Sequence, residues 1–244
     1  EAKQITQMVY RMCEVTGLRT ERLLNDALVR AAAELEASGP VALGEPPTSW
    51  EIRKEGSSAS STITLPPMLF GNNVIDPVKS SKQVSAVVDA AARCSGGICS
   101  IYQRVAPGGD MACIATTALA EDGSRRIGAY LSASLADGGA NPILAAVLAG
   151  QSYLDHAMTI GTCTGRAYQP ILNPATKEVL GMLSVELDLS AVSEDLHRAI
   201  TGFSVGKTGY VYVLGTKGDQ KGVYLISKDD ENNGENIWDR EDTS

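Results

Sequence analysis

Apolar residues recur at helical spacing through the first 38 residues. Ile5, Met8, Val9 and Met12 form one stripe, and Leu24, Ala27, Leu28, Ala31 and Leu35 form another. The pattern predicts a single helix, about 50 Å long at the helical rise, stopped by Ser38-Gly39-Pro40. Such a helix either spans two layers of one protein or also packs against a second copy; the pattern leaves both open. Residues 44–62 are rich in Ser, Gly and Pro and read as loop with at most a short strand. Leu65 to Phe70 is apolar, but Pro66 and Pro67 exclude a central strand position, so it reads as a packed loop. Val84, Val87, Val88 and Ala91 predict a short helix that ends in the Cys94–Gly97 turn.

From residue 98 the spacing changes to that of strands. Ile98–Val105 and Met111–Thr117 flank a turn at Pro107–Asp110, and Ile127–Tyr130 is a shorter extended piece. Asn141-Pro142 caps and starts a helix over 143–149, closed by Gly150. Tyr153–Thr159, Thr164–Leu172 and Val179–Leu187 are strands, with a turn at Asn173–Thr176. Alternation puts Leu183, Val185 and Leu187 on one face of the last strand and Met182, Ser184, Glu186 and Asp188 on the other. Ala191–Ile200 is a linking helix. Beyond it, Gly206 and Gly209 release the backbone into an aromatic strand at Tyr210–Leu214 and a polar turn at Gly215–Gly218. No strand–helix repeat runs through the chain, so the expected class is α+β around one central antiparallel sheet.

Composition narrows the function classes. The net charge is −8 and the pI about 4.9, with the basic residues scattered, which argues against a nucleic-acid partner. No apolar run approaches the roughly 18 residues that cross a bilayer, and no signal peptide opens the sequence. A soluble protein and an ectodomain taken from between two membrane spans both fit. Of the five cysteines, Cys94 and Cys99 could close a small disulfide loop in an oxidising compartment, and the other three read as small buried hydrophobes. Two histidines, His156 and His197, are too few for a zinc site, so no metal is expected. His197 lies on a helix, and Asp155 and His156 point to opposite faces of a strand. Phosphate-binding glycine loops and hydrolase motifs are absent from the sequence, so no catalytic residues and no cofactor are expected.

What does look like a site is a polar, aromatic face. Tyr102 and Arg104 share one side of their strand, and Thr164, Arg166 and Tyr168 share one side of another. Arginine beside tyrosine hydroxyls can hold a carboxylate or another anion in a concave pocket. Thr116, Tyr130 and Tyr153 are weaker candidates of the same kind. The bland reading is the solvated face of a half-buried sheet.

Several segments resemble a known family. Thr64–Leu69, Cys99–Arg104, Glu121–Gly128, Asn141–Gly150, Arg166–Ile171, Glu178–Val185, Val205–Val213 and Gly234–Trp238 resemble, in order, the extracytoplasmic Cache sensor domains of bacterial chemoreceptors and sensor kinases. The form is the double one, with a Cache 3-like unit fused to a Cache 2-like unit. The resemblance implies a PAS-like antiparallel sheet framed by the long N-terminal helix. It also implies a place outside the cytoplasmic membrane between transmembrane helices, and a homodimeric receptor with a methyl-accepting or kinase output. A small molecule bound in a sheet-lined pocket would be the signal, without catalysis, passed on through residues 189–202. Matched by place, the ligand residues are Tyr102, Arg104, Thr116, Tyr130, Arg166 and Tyr168. The implied division is a long helix (1–40), a membrane-distal sensor unit (41–190), a linking helix (191–202) and an incomplete membrane-proximal unit (203–244). The amino-acid signature of one large double-Cache subgroup is not evident, and Cys163-Thr-Gly165 gives the approach to the Tyr168 strand an unusual lining. The rival readings are a structural or dimerising ectodomain that binds a protein or nothing, and an enzyme with an unconventional site.

Overall fold

The computed structural model describes residues 2–54, 59–105, 108–159, 162–216 and 220–239, and for 156–159, 162 and 163 the backbone alone. Helix α1 runs over Ala2–Ala37, as the twin apolar stripes require. The remaining elements divide between two compact units, one comprising Leu23–Asp155 and Arg166–Leu187, the other Glu1–Arg22, His156–Gly165 and Asp188–Ser244.

The larger unit is built on an eight-stranded sheet. Its strands are β2 (Thr48–Lys54), β3 (Ser60–Leu65), β6 (Ile98–Val105), β7 (Asp110–Thr116), β8 (Ala129–Leu131), β9 (Tyr153–Thr159), β10 (Thr162–Leu172) and β11 (Val179–Asp188), in spatial order β3-β2-β8-β7-β6-β11-β10-β9. The pairs β2–β3, β8–β7, β7–β6 and β6–β11 are antiparallel, while β2 meets β8 in parallel. The polar stretch read as loop over 44–62 thus contains the β2–β3 hairpin, whose alternation is concealed by Ser and Thr on its exposed side. A small second sheet, β1 (Val41–Leu43), β4 (Met68–Phe70) and β5 (Asn73–Val74), places β4 in its middle. The two prolines precede β4 instead of interrupting it, which corrects the loop expected there.

One face of the large sheet packs on helix. Ile101, Ile114, Leu183 and Val185 join Leu24, Leu28 and Leu35 of α1 and Val87, Val88 and Ala91 of α2 (Ala86–Ser95) in one buried cluster. Arg30 on α1 donates to the carbonyls of Cys94 (3.0 Å) and Ser95 (3.3 Å), capping the end of α2, and Gly96 closes that helix in the left-handed conformation. The other face carries α3 (Pro142–Leu148), whose Leu144 and Val147 meet Met111, Met182, Tyr168 and Val179. Asn141 caps α3 by accepting from the N–H groups of Ile143 and Leu144.

In the smaller unit, Val9 on α1, Leu196 and Ile200 on α4 (Ser190–Thr201) and Ile226 form a separate core. The single aromatic strand expected over Tyr210–Leu214 is broken after Tyr210: its two ends join separate antiparallel pairs, β12–β13 (Ser204–Val205, Gly209–Tyr210) and β14–β15 (Val213–Leu214, Tyr224–Ile226).

The proposed Cys94–Cys99 disulfide is not formed. Cys94, in the last turn of α2, points to Glu34 on α1 with its sulfur 3.4 Å from the carboxylate. Cys99 points into the core beside Ser95. A helix end followed directly by a strand turns the two side chains apart, although both thiols are close to the same serine in sequence.

Candidate functional site

The sheet face opposite α1 and α2 is not wholly covered by α3, and the uncovered part floors a cavity of about 630 Å3. Alternation brings Arg166 and Tyr168 of β10, Ser184 and Glu186 of β11, and Tyr102 of β6 to this face. Strand β7 contributes through an irregularity. Opposite Ile101 and Tyr102 it spends one extra residue, so that Ile114 and Ala115 both face the core while Cys113 and Thr116 both reach the pocket. The loop from Ala118 to Ile127 and strands β2 and β8 supply the remaining wall.

Five of the six residues expected from sequence line this cavity: Tyr102, Thr116, Tyr130, Arg166 and Tyr168. Arg104 does not. It stands two residues further along β6, toward the end covered by α3, with Nη1 3.5 Å from Glu178 and a buried Nε lacking a partner. Period two is correct about its face, but the strand runs past the cavity before reaching it. Tyr153 sits with the α3 cluster, its ring 6.5 Å from that of Tyr168. The side chains of His156 and Cys163 fall outside the described residues.

The five differ in what they leave available. The Thr116 hydroxyl is 2.7 Å from that of Ser100 and also accepts from the N–H of Ala118, so it is engaged within the protein. Tyr130 donates its hydroxyl to Asp110 (2.5 Å) and lies under the ammonium of Lys54, 5.4 Å from the ring centre. Burial, then the bond to Asp110, pushes the Tyr130 phenol up to about 12. Burial tends to raise Asp110, but the Ala133 N–H, Tyr130 and Lys54 outweigh it and hold the carboxyl below its usual range. Burial pushes Tyr168 up to about 12 against the opposing charge of Arg166, and raises Tyr102 further still. Both phenols are therefore neutral donors at physiological pH. Tyr102 has no hydrogen-bond partner among the described residues.

Sequence reasoning missed Arg126, Lys54 and the Ser184–Glu186 side of the wall. The alternation of β11 had placed Ser184 and Glu186 on one face, but nothing local marked that face as a cavity. Arg126 carried a signal in the doublet Arg125-Arg126 between Gly123 and Gly128: in extended chain one side chain goes in and the next goes out. Arg125 is the inward one, 8% exposed, and it donates to both oxygens of Asp89 (2.6 and 2.9 Å) and to the carbonyls of Thr116 and Gln83. Arg126 is exposed and faces the pocket.

Among the described residues no group of three or more His, Cys, Asp or Glu could hold a metal ion. A second cavity of about 650 Å3, in the smaller unit between α1 and α4, is lined by Gln4, Gln7, Arg11, Thr16 and Arg19 of α1 and Asp195 of α4 among apolar residues.

The chain matches the Cache 3/Cache 2 fusion domain along residues 1–244. It belongs to that family. Cache domains are sensor modules and not enzymes, typically extracytoplasmic parts of membrane receptors, and this Cache domain has the mixed α+β fold with a long N-terminal helix expected of them. The periplasmic domain of RsbU from Chlamydia trachomatis is 16% identical, with a TM-score of 0.32 over 56% of this chain and 42% of its own. Methyl-accepting Chemotaxis protein X is 17% identical, with a TM-score of 0.33 over 96% of this chain and 79% of its own. No curated protein matches the chain. No helix among the described residues is long and apolar enough to cross a membrane.

Proposed function

We propose that this Cache domain is the ligand-sensing ectodomain of a transmembrane signalling receptor, and that it binds a small anionic metabolite in the cavity on the open face of its large sheet. The observation that carries the reading is the cavity itself: Tyr102, Arg166 and Tyr168 converge on a space of about 630 Å3 that no side chain fills. A purely structural ectodomain would gain from closing that space with apolar side chains, as α3 does at the other end of the same face. On this reading the unit containing Leu23–Asp155 is the sensing, membrane-distal one, and residues 203–244 belong to a membrane-proximal unit.

Signalling requires only that ligand favour one of two arrangements. The sheet that floors the pocket rests its other face on Leu24–Leu35 of α1, so a ligand that shifts the sheet shifts its packing on that helix. In the intact receptor, flanking transmembrane helices would anchor the domain outside the bacterial inner membrane, and the output would be a methyl-accepting or kinase module. A homodimer is supported by exposed apolar residues on α1, with Val15 63% and Leu18 62% exposed.

The test is a metabolite panel followed by thermal shift, with hits measured by calorimetry on wild type and on Arg166→Ala. Affinity should fall at least tenfold in the variant. Equal affinity would place the ligand elsewhere.

A further inference from the structure

Each carboxylate on the wall of the proposed pocket already holds a donor of the protein, whereas two of the wall's donors are unpaired among the described residues. Glu186 accepts from Arg166 Nε at 2.5 Å, and Glu51 accepts from Lys79 at 3.0 Å. Asp122 accepts from both the N–H and the hydroxyl of Ser124, and Asp110, behind Tyr130, accepts from Tyr130 and Ala133. On the other side of the ledger, the Arg126 guanidinium and the Tyr102 hydroxyl have no side-chain partner among the described residues. Arg166 engages Glu186 through Nε and lines the cavity beside Tyr168. Arg126, Arg166 and Tyr102 line the same cavity, with Tyr102 and Arg166 on the sheet floor and Arg126 on the loop at its side.

Arg126 is held there by its neighbour. The Arg125 clamp on Asp89, Thr116 and Gln83 ties the loop to α2 and β7, and the N–H of Arg126 donates to Ala118. Arg125 is locked into the wall, and Arg126, exposed, lines the cavity beside it.

We propose that the pocket selects a small carboxylate lacking an ammonium group, with Arg126 as its recognising cation and Arg125–Asp89 as the pair that positions it. This deepens the pocket reading above and rests on it. A carboxylate is acceptor-only and matches the donors that Arg126, Arg166 and Tyr102 present to the same cavity. An α-ammonium brings three more donors to a wall whose carboxylates are engaged, beside two guanidinium charges. Each buried donor left unpaired weakens binding, so the discrimination should be at least tenfold.

Calorimetry with matched pairs that differ only in the ammonium tests this: succinate against aspartate, glutarate against glutamate, propionate against alanine. Inorganic phosphate and a broader set of metabolites run alongside. The proteins are wild type, Arg126→Gln, Arg126→Lys and Arg166→Ala. At least one acid should bind wild type ten times more tightly than its amino counterpart. Arg126→Gln should lose at least tenfold with an unchanged melting temperature, since Arg126 is exposed, and Arg126→Lys should recover part of the loss. An amino acid that binds as tightly as its acid overturns the ligand class, and phosphate binding without acid binding does the same. Unchanged affinity in Arg126→Gln overturns its role. If only a non-acid binds and Arg166→Ala abolishes it, the class fails while the pocket stands; if nothing in the set binds, both fail.

Discussion

Asp89→Ala isolates the interaction on which the pocket loop depends. In the native structure the Asp89 carboxylate takes two hydrogen bonds from Arg125, at 2.6 and 2.9 Å, and one from the Ser85 N–H at the start of α2. The side chains are only 7% and 17% exposed, so water cannot replace the lost carboxylate. Removing one partner of a buried ion pair leaves an uncompensated charge and costs about 3–5 kcal/mol. At roughly 2–4 °C per kcal/mol for a chain of this size, the melting temperature should fall by about 6–20 °C. The double variant Asp89→Leu/Arg125→Met removes both charges, and its cost should be well below the sum of the single costs, with a coupling of at least about 2 kcal/mol. Chemical denaturation followed by circular dichroism measures wild type, Asp89→Leu, Arg125→Met and the double variant, with Asp89→Ala alongside. The pair also fixes a pH dependence. Burial tends to raise the Asp89 carboxyl, but Arg125 and the Ser85 N–H outweigh it and hold it below its usual range. A lowered folded-state pKa gives stability that is complete above the ordinary carboxylate value, about 3.9, and lost as pH falls through the lowered one. The gap between wild type and Asp89→Ala should therefore hold from pH 7 to about 5 and narrow below about 4. A loss under about 1 kcal/mol, or single costs that simply add, would refute the clamp.

Three further outcomes test the packing and the thiols. Gly181→Ala on β11 drives a methyl into the Tyr102 carbonyl of β6, a rigid backbone contact, so the variant should lose several kcal/mol or fail to fold, as read by soluble yield and thermal melts. Asn141→Ala deletes the α3 cap and its bond to the Ser132 carbonyl, and should cost about 1 kcal/mol in denaturant titration. In brief alkylation of the native protein, mapped by mass spectrometry, Cys94 should be modified well before Cys99 and Cys113. Cys94 is exposed, whereas burial pushes Cys99 up to about 11 and Cys113 up to about 12; modification of Cys113 ahead of Cys94 would contradict the buried assignment.

Local pattern was enough for much of this fold. The helix over 2–37, the capped α3 and strands β6, β7, β10 and β11 follow from apolar spacing and from punctuation by Gly, Pro and Asn, because these signals act within a few residues of one another. So do the two faces of β11. The β2–β3 hairpin was hidden by small polar residues whose outward face looks like loop, and it exists because β8 and the core behind Trp50 and Ile52 accept it. The candidate site divides along the same line. Which side chains share a face is a local question, and Tyr102, Arg166 and Tyr168 do lie on one side of the sheet. Which part of a face is covered is not local: α3 covers the end where Arg104 stands and leaves the other end open, and the extra residue in β7 turns Thr116 from the core to the pocket. Arg125 and Arg126 are the same amino acid in adjacent positions. Asp89, 36 residues earlier in the chain, with the carbonyls of Thr116 and Gln83, makes one of them a buried clamp, while the other stays exposed on the cavity wall.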